Sequence, residues 1–154
     1  MTRKMIWLAG LALVVIIVGI FYLALRNTRT DVSQKQPYAT WLGELVLVRP
    51  AFLVNNQFPI AEKTLLVEDG LAYADAILVP AGTKVQLTKA IHHRNGVSGV
   101  THSLMIGTVQ TATGATTFEY YWGQFHTICL EPPCNYWTYP QAVWQSEADT
   151  TKYY

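Results

Sequence analysis

The segment Thr83-Lys84-Val85-Gln86-Leu87-Thr88-Lys89 decides the fold. Val85 and Leu87 alternate with Lys84, Gln86 and Thr88, the period of two that lines one face of a half-buried strand. Pro80-Ala81-Gly82 before it reads as a turn. After it, Asn95-Gly96 and Ser98-Gly99 mark a loop, and Val100–Val109 runs out again in β-forming residues. Thr113-Gly114 is the next turn, followed by Thr116–Trp122 and, past Gly123, by Phe125–Cys129. Glycine turns therefore join about four strands between Lys84 and Cys129. No part of this region carries a sustained helical period. The expected fold is mainly β: a small antiparallel barrel or sandwich, because an open sheet leaves unpaired edges.

Upstream, Tyr38–Val48 contains a strand at Leu42–Val48, which Pro50 ends. Ala51–Val54 extends it, Asn55-Asn56 is a turn, and Thr64–Val67 is a short apolar run. Leu71–Leu78 accepts either a helical turn or an extended form. Pro140–Gln145 is expected as a short turn of helix, since proline suits a helix start, with frayed residues beyond it. The run Pro80-Ala-Gly-Thr-Lys-Val85 entering a strand resembles small barrels of the SH3-like kind. That short likeness implies a fold and no function.

Met5–Leu25, MIWLAGLALVVIIVGIFYLAL, sets the location. It has no charge and no proline, and its length matches the roughly 20 residues that cross a bilayer. Its end, Phe21-Tyr22-Leu23-Ala24-Leu25-Arg26, lacks the small-residue cleavage pattern of a signal peptide. The expectation is an uncleaved transmembrane anchor at 5–25, with Trp7 and Tyr22 at its two interfaces. A polar stalk at 26–37 and a β-rich domain at 38–154 follow.

Basic residues on the two sides of the anchor nearly balance, so the cysteines decide its orientation. Cys129 and Cys134 lie in Cys-Leu-Glu-Pro-Pro-Cys, a spacing suited to a tight disulfide ring worth roughly 2 kcal/mol. Such a bond persists outside the reducing cytosol. The domain is therefore expected on the extracytoplasmic side, which is the periplasm if the source is bacterial. The spacing suits neither a redox pair nor a zinc site, which would need a second pair of ligands.

Of eleven basic residues, Arg3, Lys4 and Arg26 flank the anchor, whereas all ten acidic residues lie at Asp31 or beyond. The domain is thus slightly acidic despite the overall charge of +1. No basic stripe exists for phosphate contacts, which argues against a nucleic-acid partner.

Histidine is the first candidate for chemistry. His92, His93 and His102 flank the 95–99 loop. A hairpin centred on Val97 would set His92 opposite His102, with Cβ atoms roughly 5 Å apart. A metal site needs a third ligand and a supporting carboxylate, and no Asp or Glu lies between Asp75 and Glu119. Surface histidines are the expectation, with no metal and no cofactor. Ser98 and Ser103 sit in no nucleophile elbow. Glu68-Asp69 reads as a turn and Glu119 as a solvent-facing strand residue.

The aromatic residues are more informative. Phe118, Tyr120, Tyr121, Trp122 and Phe125 cluster, and Trp137, Tyr139 and Trp144 follow. Alternation sends Phe118, Tyr120 and Trp122 inward and Tyr121 outward. Tyr121, Trp137, Tyr139 and Trp144 are the expected contacts, because surplus tyrosine and tryptophan suit recognition. The expected function is a non-enzymatic, membrane-anchored module that binds a protein or another envelope component. The alternatives are an inhibitor or immunity-type protein, inserting the loop Glu131-Pro132-Pro133, and a metal-dependent hydrolase using the histidines.

Overall fold

A computed structural model describes residues 3–112, 114–127 and 132–154. Contacts divide the chain into two units, one formed by the N-terminal helix with the loop at 94–100 and the other by the remaining β-structure.

Helix α1 (Arg3–Ala24) opens the first unit. Its described side chains are apolar and turned outward, as at Ile16 and Phe21. Among the described residues no helix is long and apolar enough to cross a membrane. The continuous stretch of described side chains begins only at Gly10, so the expected span at 5–25 is described only in part. Past the helix, Asn27 Oδ1 accepts the Gly96 N–H at 3.0 Å. A side chain at Gly96 would strike the backbone of Leu25 and Arg26. Glycine is required there for close approach of two backbones. Asn95 Oδ1 holds the loop by accepting the N–H groups of Val97 and Ser98, both at 2.9 Å.

The second unit is mainly β. Its elements are β1 (Thr28–Asp31), α2 (Tyr38–Trp41), β2 (Gly43–Val46), β3 (Ala51–Asn55), β4 (Thr64–Val67), β5 (Ile77–Val79), β6 (Lys84–Arg94), β7 (Thr101–Thr111), β8 (Gly114–Tyr121), β9 (Gln124–His126) and β10 (Tyr136–Thr138). One eight-stranded sheet has the order β1-β6-β7-β8-β4-β3-β5, with β2 also paired to β6, and β9 and β10 form a separate ribbon. The sheet is mixed rather than wholly antiparallel, because β4 runs parallel to β8 at Leu65 and Glu119.

The alternation that marks β6 holds, with Val85 and Leu87 buried and Lys84, Gln86 and Thr88 exposed. Strand β7 buries both faces over Ser103–Gly107. Met105 and Val109 join the main core, whereas Leu104 and Ile106 join Ile91 in a second, smaller cluster. Gly107 lies opposite Phe118, and a Cβ there would come within 2.8 Å of the Phe118 ring and the Leu87 side chain. The missing side chain is what lets that ring cross its partner strand.

Four local readings change. The polar stretch expected as a stalk contains β1, whose four residues are all exposed. It is an edge strand with no apolar alternation to show it, and Val32, 2% exposed, follows it into the core. Tyr38–Trp41 is a helical turn, and the strand expected at Leu42–Val48 covers only Gly43–Val46. At 140–145 the chain makes a turn rather than a helix, closed when Gln145 Oε1 accepts the Ala142 N–H at 2.7 Å. The tail is not frayed, because Tyr153 and Trp137 exchange both main-chain hydrogen bonds, at 2.7 and 3.0 Å.

Candidate functional site

The aromatic residues separate into a buried set and an exposed set. Trp122 is fully buried, with Tyr139 at 3% and Trp144 at 4% exposure. Trp122 meets Tyr139 at 4.7 Å between ring centres, and Tyr120 meets Trp144 at 4.8 Å. Tyr139 and Trp144, expected as contacts, are thus core residues with little surface left for a partner. The core absorbs more aromatic area than the strands alone offer because the segment after β10 folds back onto it. Trp137 is half-buried and stacks on His92 at 4.4 Å.

A polar cluster lies inside this aromatic core. The Tyr38 hydroxyl, at the start of α2, meets His92 Nε2 of β6 at 2.7 Å, Ser103 Oγ of β7 at 2.6 Å and the Tyr139 hydroxyl at 2.7 Å. Burial raises the pKa of Tyr38, and burial together with the Tyr38 hydrogen bond raises that of Tyr139. Burial, with Lys35 nearby, pushes His92 down to about 4. The phenols therefore keep their protons and the imidazole stays neutral at pH 7. Ser103 Oγ meets the Tyr38 phenol, which stands between it and the His92 imidazole. The role of the cluster is to hold α2 and the segment after β10 against the sheet.

Tyr38→Phe is expected to lower stability by about 2 kcal/mol, since three buried polar groups lose one shared partner. Urea unfolding checks this, and an unchanged midpoint would show that the network contributes nothing. The His92 shift also predicts a pH dependence. Its folded pKa lies below the ordinary 6.5, so the unfolded chain takes up the proton first as pH falls. The contribution is complete above about pH 6.5 and is lost between there and about pH 4. Partial exposure screens the effect to about 2 kcal/mol. His92→Gln should flatten that part of the stability curve.

The three histidines do not converge. His92 turns into the hydroxyl cluster, whereas His93 is buried with its pKa lowered by burial, then by Arg29 and His102. His102 sets its ring edge-to-face against Tyr121 at 5.6 Å. Among the described residues no group of three or more His, Cys, Asp or Glu side chains is arranged to hold a metal. Cys134 is disulfide-bonded. The chain's other cysteine, Cys129, and Glu131 at the start of the proline loop lie outside the described residues.

Glu119 is the largest departure from the sequence reading. The expected solvent-facing carboxylate is 0% exposed. Its Oε1 accepts Asn56 Nδ2 at 2.5 Å and the Ile60 N–H at 3.4 Å, and its Oε2 accepts the N–H groups of Ala61 at 2.7 Å and Glu62 at 3.0 Å. Alternation gave the correct face of β8. What it could not give is the loop at 56–62, which covers that face and delivers its own N–H groups to the carboxylate.

The same loop builds one wall of a cleft of about 230 Å³, whose lining includes Asn55, Gln57, Phe58, Leu65, Tyr73 and Tyr121. Phe58 is 82% exposed, Tyr121 40% and Tyr73 37%. Tyr121 is an expected contact residue, whereas Phe58 and Tyr73 were missed. The available signal for Phe58 was its place just after the Asn55-Asn56 turn and before Pro59, where a large ring has no strand to pack on. Asn56 Oδ1 accepts the Phe58 N–H at 3.2 Å, so the side chain that meets Glu119 also positions Phe58. Compared with protein-family models, curated proteins and solved structures, the chain matches none.

Proposed function

We propose that the chain is a membrane-tethered binding module of a cell envelope and not an enzyme. Residues 5–25 act as the anchor, and the β-domain works on the extracytoplasmic side. The uncharged sequence of Met5–Leu25 and the outward apolar side chains of α1 support the anchor, since a helix apolar all round must be covered by protein or lipid. A disulfide at Cys134 supports an oxidising compartment. The small barrel or sandwich reading of the domain rests on one continuous core that draws on β3 through β8.

The observation that carries the binding role is the cleft. Tyr120, Trp122, Tyr139 and Trp144 are buried, whereas Phe58, Tyr73 and Tyr121 stand exposed around one concavity. Tyr121 remains a proposed contact, and Tyr139 and Trp144 do not. Tethering confines the module to a surface and raises its effective concentration for an envelope partner. A photo-crosslinker at position 121 in intact cells tests the role. The expected result is capture of one envelope component, with the domain cleaved by protease added outside. Capture of nothing specific, or a domain shielded from that protease, would count against it.

A further inference from the structure

The lining of the cleft narrows what it can hold. Among the described residues the lining carries no charged side chain; the Glu119 carboxylate sits behind the wall, held by Asn56. Phe58, Tyr73 and Tyr121 supply aromatic surface. Asn55 and Gln57 are exposed and carry primary amides, each with donors and an acceptor. With its aromatic faces for apolar C–H surface and its amides for ring hydroxyls, we propose that this cleft binds a neutral glycan chain. The inference rests on the binding-module reading and gives it a ligand class.

A sugar ring matches both kinds of group. One face of the ring presents C–H bonds to the aromatic surface, and its rim presents hydroxyls that donate and accept. A proline-rich peptide would use the aromatic faces too, but its backbone carbonyls only accept. It would engage the amide NH2 groups of Asn55 and Gln57 and leave their oxygens to water, whereas a sugar hydroxyl can meet both ends of each amide. The size agrees, because about 230 Å³ is smaller than the roughly 300–1,000 Å³ that encloses a free small molecule. An open cleft of this size reads a short segment of a longer chain. The carboxylate of Glu119 fixes the loop that carries Gln57 and Phe58, so the wall is ordered before the ligand arrives.

The test is calorimetric titration of the full chain in detergent micelles with chito-, cello- and malto-oligosaccharides, a proline-rich peptide and a sulfated oligosaccharide. At least one neutral oligosaccharide should bind saturably. Phe58→Ala and Tyr121→Ala should each weaken that binding about tenfold. Tyr154→Ala, at an exposed aromatic outside the cleft, should leave it unchanged. Phe58 is 82% exposed, so its loss does not threaten the fold. Failure of all three neutral sugars, tighter binding of the peptide or the sulfated chain, or indifference to both cleft variants would overturn the proposal. If the sugars fail while crosslinking from position 121 still captures one envelope protein, the module stands and its glycan specificity falls.

Discussion

Glu119→Gln is expected to cost about 3 kcal/mol of unfolding free energy, although it changes one oxygen to an NH2 group. The carboxylate accepts from one side-chain amide and three backbone N–H groups. Hydrogen bonds to a charged acceptor are the stronger kind. A glutamine leaves one acceptor oxygen and turns its own donors toward other donors. In a small domain with about 5–15 kcal/mol in total, that loss is a large share. The loop at 56–62 should loosen with it, so amide exchange at Ala61 and Glu62 should rise more than exchange in β6. Urea unfolding of the detergent-solubilised chain measures the first effect. A loss under about 1 kcal/mol would mean that water replaces the carboxylate without difficulty.

Trp122→Ala should cost more, about 4 kcal/mol, and is the variant expected to come nearest to unfolding the domain. Trp122 is 0% exposed and packs on Tyr38, Tyr139 and Trp144 with ring centres 4.7–5.9 Å away. Its indole N–H donates to the Pro140 carbonyl at 2.8 Å, which fixes the turn that brings Trp144 inward. Removing the ring leaves a cavity and frees that turn together. Trp122→Phe keeps most of the volume and drops the hydrogen bond, so it should fall near the midpoint of the two. Equal losses for alanine and phenylalanine would show that the hydrogen bond, and not the volume, holds the turn.

The sheet was legible where one face meets the core and the other meets solvent. Lys84–Lys89 and Thr64–Val67 are strands in the structure, because short-range alternation or apolar runs carry that information. The parallel pairing of β4 with β8 was not legible, since it joins segments far apart in the chain and leaves no local mark. β1 was hidden for a related reason: an exposed edge strand of Thr28–Asp31 has no apolar face to show. Of the three exposed aromatics of the cleft, Tyr121 was within reach and Phe58 and Tyr73 were not. Alternation put Tyr121 on the outer face of β8, but whether Tyr139 and Trp144 are surface or core depends on where a loop folds back. Glu119 shows the limit best, because its burial is decided by a loop some 60 positions earlier in the chain, as the separations of its hydrogen bonds show.

The reciprocal bonds between Trp137 and Tyr153 bear on how the protein is made. A ribosome delivers the chain from its amino end, so Trp137 emerges well before the residue that completes its edge. Until Tyr153 follows, the β9–β10 ribbon exposes unpaired main-chain groups and Tyr139 lacks a ring neighbour 5.3 Å away. A nascent chain halted near Gln145 would carry Trp122, Tyr139 and Trp144 yet present an open seam, the kind of intermediate that chaperones shield.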